Sequence, residues 1–155
     1  STLARQHITV AALLERIARE AQVFIAAAGQ TLTVEIEAEL GEVEMNLDID
    51  RIRHVFVNLL TNAAKYSPAG EAIVLGAVAG PLGFVRFAVR DRGPGIAPED
   101  AAHIFDRFYR VPGQSKSGAG LGLTIAREIV VAHGGSINCA SELGQGTEFY
   151  FLLPR

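Results

Sequence analysis

The stretch VNLLTNAAKYSP, residues 57–68, decides how the chain is read. Val57, Leu59, Leu60, Ala63 and Ala64 are what a buried helix requires, and Pro68 stops it. Asn58 and Asn62 stand four residues apart in the same helix, and Lys65 follows. At about 100° per residue the two amides share one side, with Lys65 beside them. Asn is a poor helix former and needs hydrogen-bond partners when buried. The helix alone leaves two readings open. The amides are a satisfied pair at a core edge, or they are a polar site built into a core helix.

The totals narrow the setting. The chain has 155 residues, 49% of them hydrophobic, and a net charge of −3. That suits one globular domain with a real core. It supplies no global basic field of the kind that draws nucleic acid. A local site can still hold phosphate. Cys139 is the single cysteine, so no intrachain disulfide can form, and it reads as a small core residue in a reduced compartment. No run approaches the ~20 apolar residues of a membrane span, and no signal peptide is visible. The chain starts at STLARQHI without a Met and reads as part of something longer.

Outward from the opening helix, elements alternate. Val10, Leu13, Leu14, Ile17, Ala21, Phe24, Ile25 and Ala28 recur at helical spacing, with Gly29 as a stop. TLTVEIEAE and EVEMNLD read as strands, and Asp48 or Asp50 can cap the helix that runs to Lys65 or Tyr66. EAIVLGAVAG and GFVRFAVRD form a hairpin around Gly80, Pro81, Leu82 and Gly83. A short helix over EDAAHIF follows, then a polar, Gly-rich stretch at 111–120, a helix over 121–133, and two strands, SINCASE and TEFYFLLP. Hairpin strands cannot build an all-parallel sheet. The expected architecture is α/β in two layers, with helices on one face of a mixed, mostly antiparallel sheet.

Two further stretches bear on chemistry. VRDRGPGI sets Asp91 at a strand end beside Gly93 and Gly95, where a carboxylate can accept a hydrogen bond and backbone can approach a ligand. Alone it is better read as a surface turn after a strand. SKSGAGLGLTIAREIV sets Gly118, Gly120 and Gly122 before a helix, whose free N–H groups favour phosphate. A dinucleotide fingerprint fits poorly, because its third glycine position is Leu123 and GQSKS is no strand. No P-loop occurs. Amide oxygens can help hold Mg²⁺ against phosphate, and Lys65 can neutralise phosphate charge. The opening helix thus reads as one wall of a nucleotide site without a P-loop.

In order, these segments resemble the catalytic, ATP-binding domain of sensor histidine kinases. NLLTNAAKYSP is similar to the N box, DRGPGI to the first glycine box, IFDRFYR to the F box and GAGLGL to the second glycine box. GQGTEFYFLLP is similar to the closing strand. Each motif is weak to moderate alone, and the ordered set is specific. The resemblance implies the Bergerat ATP-binding fold shared with gyrase, heat-shock chaperone and mismatch-repair ATPases. It implies that Asp91 accepts from the adenine amine with Thr147 nearby, and that Gly93, Gly95 and Ile96 pass close to the base. It implies that Asn62 holds Mg²⁺ with support from Asn58, that Lys65 and Arg110 reach phosphate, and that Tyr66 flanks the nucleotide. Gly118, Gly120, Leu121, Gly122 and Leu123 would line the phosphate end. Phe105 and Phe108 would anchor a mobile lid over 111–120. Two residues depart from the family: Arg92, expected to point outward, and His54, expected to be structural.

The family phosphorylates a histidine on a dimerisation domain, followed by an acidic residue and, soon after, Pro. None of His7, His54, His103 or His133 has that context. His133, before Gly134, reads as a helix C-terminal residue favoured by the helix dipole. Residues 1–8 are expected to be linker from a missing phosphoacceptor domain, and 9–155 the catalytic domain. The implied partners are ATP, that dimerisation domain and a response-regulator receiver downstream. The fragment is expected to be a monomer from a homodimeric parent, in the cytoplasm, with membrane anchoring of the parent left open. Three functions stay open: transfer from Mg-ATP to histidine, a nucleotide-binding module without transfer, and a gyrase-like ATPase. The last usually has Glu where this chain has Asn58, a poor general base.

Overall fold

The computed structural model describes residues 2–107, 109 and 119–155. Strand β1 (Gln6–Thr9) leads into helix α1 (Val10–Ala27), then β2 (Thr31–Ile36), β3 (Glu44–Leu47) and α2 (Ile49–Tyr66). The hairpin β4 (Ala72–Ala79) and β5 (Phe84–Asp91) follows, then α3 (Pro98–Ala101), α4 (Ala119–Ala132), β6 (Ser136–Glu142) and β7 (Gly146–Pro154). Five strands form one sheet in the order β2-β4-β5-β7-β6. Only β2–β4 is parallel in it; the other three pairings are antiparallel. The helices cover one face, as the hairpins require.

The two long helices form where their apolar periodicity predicts. In α1, Val10, Leu13, Leu14, Ile17, Ala21 and Ile25 are buried. Thr9 caps its start by accepting from the Ala12 N–H at 3.1 Å, and Gly29, at φ +76°, ends it. In α2, Ile52, Val55, Phe56, Leu59, Leu60 and Ala63 are buried. Phe56 meets Phe87 of β5 and Phe151 of β7 with ring centroids 5.6 and 5.0 Å away. These edge-on contacts fasten the helix that carries the two asparagines to the middle of the sheet. Glu20 and Arg53 add a two-point ion pair between α1 and α2, at 2.6–2.7 Å.

Some elements differ from the sequence expectation. Residues 6–8, expected within a linker, form β1 together with Thr9, and this strand pairs antiparallel with β3 in a separate two-stranded sheet. β2 and β3 are neighbours in sequence yet belong to different sheets. The short helix ends at Ala101 and gives way to turns, so it is only part of EDAAHIF. Helix α4 starts two residues before 121, drawing Ala119 and Gly120 out of the expected loop. Among the described residues no helix is long and apolar enough to cross a membrane.

Candidate functional site

The site begins with sheet alternation. Val85, Phe87 and Val89 of β5 point into the helix layer, and Asp91 is next in that series. In β7 the series is Leu153, Phe151, Phe149 and then Thr147. In β6 it is Ile137, Cys139 and Ser141. The register pairs Asp91 with Thr147 and Thr147 with Ser141. At this end of the sheet the apolar rows therefore give way to a polar row, Asp91–Thr147–Ser141, on the helix side. Asp91 is 8% exposed and Thr147 6%.

Each member of the row is bonded. Asp91 Oδ1 accepts from the Gly93 N–H at 2.7 Å. Burial pushes the Asp91 carboxyl above its usual value, and the backbone N–H groups of Gly93 and Thr147 only partly offset this. Ser141 Oγ accepts from the Ile96 N–H at 2.7 Å, lies 3.0 Å from the Gly146 carbonyl, and stands 2.8 Å from Thr147 Oγ1. A cavity of about 680 Å³ opens on the other face of the same strand ends, lined by Glu35, Val74, Arg90, Arg92 and Glu148 among others. Asp91 and Thr147 reach it, but their place in the alternation sets their side chains on the helix side.

The loop after Asp91 is clamped by protein backbone. A Cβ on Gly93 would stand 2.8 Å from the Tyr66 carbonyl oxygen, and one on Gly95, at φ +78°, 2.3 Å from the Glu142 carbonyl oxygen. These glycines therefore let the loop wedge between the end of α2 and the β6–β7 turn. Ile96, next in the loop, is buried.

Helix α2 forms the opposing wall. Asn58, Asn62 and Tyr66 are half-buried and Lys65 is exposed, on the flank beside buried Leu59 and Ala63. The helix is held at both ends. Asp48 caps its start, accepting from the Arg51 N–H at 3.2 Å. Gln30 Nε2 donates to the carbonyls of Ala64 at 3.1 Å and Ser67 at 2.6 Å, at its finish. Phe105 is half-buried and meets Phe149 edge-on at 6.1 Å, while its carbonyl accepts from Thr124 Oγ1 at 3.0 Å. Leu123, on α4, is buried. Gly120, Leu121 and Gly122 belong to the first turn of that helix. Phe108, Arg110, Gly118 and the 111–118 part of the expected lid lie outside the described residues.

One residue differs in role from the sequence reading. His133 does end α4, but it is buried, and burial lowers its pKa; the neutral ring, not a cation at a helix dipole, occupies this place. His54 is exposed on α2. Arg92 points outward as expected, 3.9 Å from Glu71. Sequence reasoning missed Ser141 and Gln30. The signal for Ser141 was present: a hydroxyl in step with Ile137 and Cys139 on the core-facing side of SINCASE.

Comparison with known proteins places the chain. Residues 47–155 match the family model described as histidine kinase-, DNA gyrase B- and HSP90-like ATPase. The chain belongs to this ATPase family. It is 41% identical over 111 residues to the sensor protein SrrB of Staphylococcus aureus, an alignment that takes in 70% of this chain and 19% of SrrB. The solved structure of full-length ShkA in complex with AMPPNP superposes with a TM-score of 0.86 at 34% identity, over 99% of this chain and 32% of ShkA. The nucleotide-free catalytic domain of the histidine kinase ThkA superposes at 0.83 and 25% identity, over 98% of this chain and 96% of that domain. The chain thus spans a fifth to a third of the full-length relatives and nearly all of an isolated catalytic domain.

Proposed function

We propose that the chain binds Mg-ATP between the Asp91–Thr147 row and α2 and passes the γ-phosphoryl group to a histidine on a separate dimerisation domain, in two-component signalling. The observation that carries this reading is Asp91. It is a carboxylate set into the core-facing series, held by backbone N–H groups, with no ion pair among the described residues. Such a group suits a ligand amine, and adenine has one where guanine has a carbonyl. Asn58 and Asn62 bring amide oxygens and Lys65 a cation toward the phosphates. Among the described residues no group of three or more His, Cys, Asp or Glu gathers. Amide oxygens are hard ligands, and the neutral pair suits Mg²⁺ that takes its remaining ligands from phosphate oxygens and water. Bound there, the ion would neutralise phosphate charge; Lys65 would add to this, and Arg110 is assigned the same task at the γ-phosphate. Gly93, Gly95 and Ile96 would border the base, Tyr66 and Phe105 its flanks, and Gly120, Leu121, Gly122 and Leu123 the phosphate end. Catalysis would rest on positioning and charge stabilisation.

The test mixes this chain with labelled ATP and a candidate dimerisation domain from a sensor kinase. The expected product is a labelled partner whose phosphate is acid-labile and alkali-stable, as a phosphoramidate is. Labelling should be slow, because no tether raises the effective concentration. Strong labelling of the isolated chain at one of its own histidines would place the acceptor elsewhere. Steady phosphate release with every partner unlabelled would make it an ATPase.

A further inference from the structure

Ser141 has one proton to give and lies against three partners. The Ile96 N–H can only donate to it, and the Gly146 carbonyl can only accept from it. One assignment of the two hydroxyl protons makes all three contacts hydrogen bonds. Ser141 gives its proton to Gly146, and Thr147 gives its own to Ser141 across 2.8 Å. Any other assignment leaves one contact of this half-buried cluster unmade, which is unfavourable. Thr147 then has no proton left for a ligand, and only its lone pairs remain. Its neighbour across the ladder, Asp91, is an acceptor too once ionised.

We infer that Ser141 is a positioning residue for base selection: by taking the Thr147 proton, it leaves the Asp91–Thr147 end of the site able to accept hydrogen bonds but not to give them. The C6 amine of adenine, with two hydrogens to give, is then matched. The C6 carbonyl of guanine, set in the same place, meets acceptors on both strands. Asp91 alone could be evaded by a small tilt of the base toward Thr147, if the threonine were free to donate. Ser141 closes that escape. This inference rests on the ATP reading above and deepens it.

Calorimetry with ATP and GTP tests it on the whole chain. In Ser141→Ala the Thr147 proton is released, and the ratio of ATP to GTP affinity should fall about fivefold or more. A merely structural loss would weaken both nucleotides together and leave the ratio alone. Thr147→Val has no hydroxyl to redirect, so adding Ser141→Ala to it should leave its ratio unchanged. An unaltered ratio in Ser141→Ala, with ATP still bound, overturns the inference. Absence of ATP binding by the unsubstituted chain overturns the site reading instead. Should Ser141→Ala unfold, the unsubstituted chain decides by NMR. A slowly exchanging Thr147 hydroxyl proton with cross-peaks to Ser141 is expected; one directed at Asp91 would sink the proposal.

Discussion

Two aspartates at opposite ends of this core are buried to the same degree and behave oppositely. Asp48 is 7% exposed and Asp91 8%. Asp48 lies between β3 and α2. Its carboxylate accepts from the Ala4 N–H at 3.0 Å and the Arg51 N–H at 3.2 Å, with Arg51 Nε 3.5 Å away. Its own N–H donates to His133 Nε2 at 3.0 Å, and the other ring nitrogen lies 2.8 Å from the Ile129 carbonyl. Three parts of the chain therefore meet on it: the N-terminal segment, the start of α2 and the end of α4. Burial pushes the Asp48 carboxyl up, but the N–H groups of Ala4 and Arg51 and the charge of Arg51 outweigh it and hold the pKa below the usual value. At Asp91 burial wins. Burial alone does not mark a functional carboxylate. What separates the two is how deeply each carboxyl is packed and how completely the protein itself supplies donors and positive charge.

The largest expected effect lies on the ligand side of that contrast. Asp91→Ala should weaken ATP binding by about 5- to 150-fold, the equivalent of ~1–3 kcal/mol for a lost buried partner. The same variant should keep or slightly raise stability without nucleotide. The sign follows from its raised pKa. Its stabilising contribution is present below the unfolded value and is lost as pH rises through the folded pKa, so the fold holds the ionised form less well than the protonated one. Calorimetry and thermal melting read the two halves separately. Unchanged ATP affinity, or a large loss of stability, would make Asp91 a second Asp48.

Asp48→Ala should do the reverse. Loss of the α2 cap costs ~1–2 kcal/mol of stability, read as a lower denaturant midpoint. ATP affinity of the folded protein should stay within about twofold, well under the ~1 kcal/mol of one hydrogen bond. A selective loss of ATP binding with an unchanged midpoint would reverse the assignment.

Asn62→Ala sharpens the comparison from the half-buried flank of α2. We expect the Mg²⁺-dependent part of ATP affinity to fall while the thermal midpoint barely moves, since Asn62 is assigned to the ligand and not to packing. Titrations with and without Mg²⁺ measure this. If the variant unfolds, or binds Mg-ATP as before, the two asparagines are satisfied core-edge amides.

Much of this contrast was legible in the sequence, and the reason is local periodicity. The apolar faces of α1 and α2, the hairpin at Gly80–Gly83 and the strand-end position of Asp91 all follow from spacing within one element. Asp48 was one of two candidate caps for the same reason. What could not be read is long-range pairing. β1 is four residues long and mostly outside the core, so it has no periodic signature and exists through β3. The Asp48–His133 bond joins residues 85 apart. Ser141 announced its face but not its partners. The roles of Asn58, Asn62 and Lys65 came from the order of motifs, because helical spacing gives their side of the helix and not what lies there.

The smallest expected effect concerns pH at the structural end. His133 is 3% exposed. Its Nε2 accepts from Asp48 N–H, so Nδ1 carries the proton and donates to Ile129. A second proton, on Nε2, would point at another N–H and break the junction. Burial lowers the pKa, with Arg5 and Arg51 acting the same way, while the Ile129 carbonyl and Asp48 act against them. Because the folded pKa lies below the unfolded value of 6.5, the unfolded chain binds more protons between the two. Stability should therefore be full above pH 6.5 and fall as pH drops through that window. This slope is opposite in sign to that of Asp91. Thermal midpoints at pH 7.5 and 5.5 should show the fall. In His133→Gln, which cannot titrate, the difference should shrink, whatever the exposed His7, His54 and His103 add to both proteins. An equal pH difference in the two proteins would mean that the junction tolerates a charged ring, and that Asp48 alone holds the three segments together.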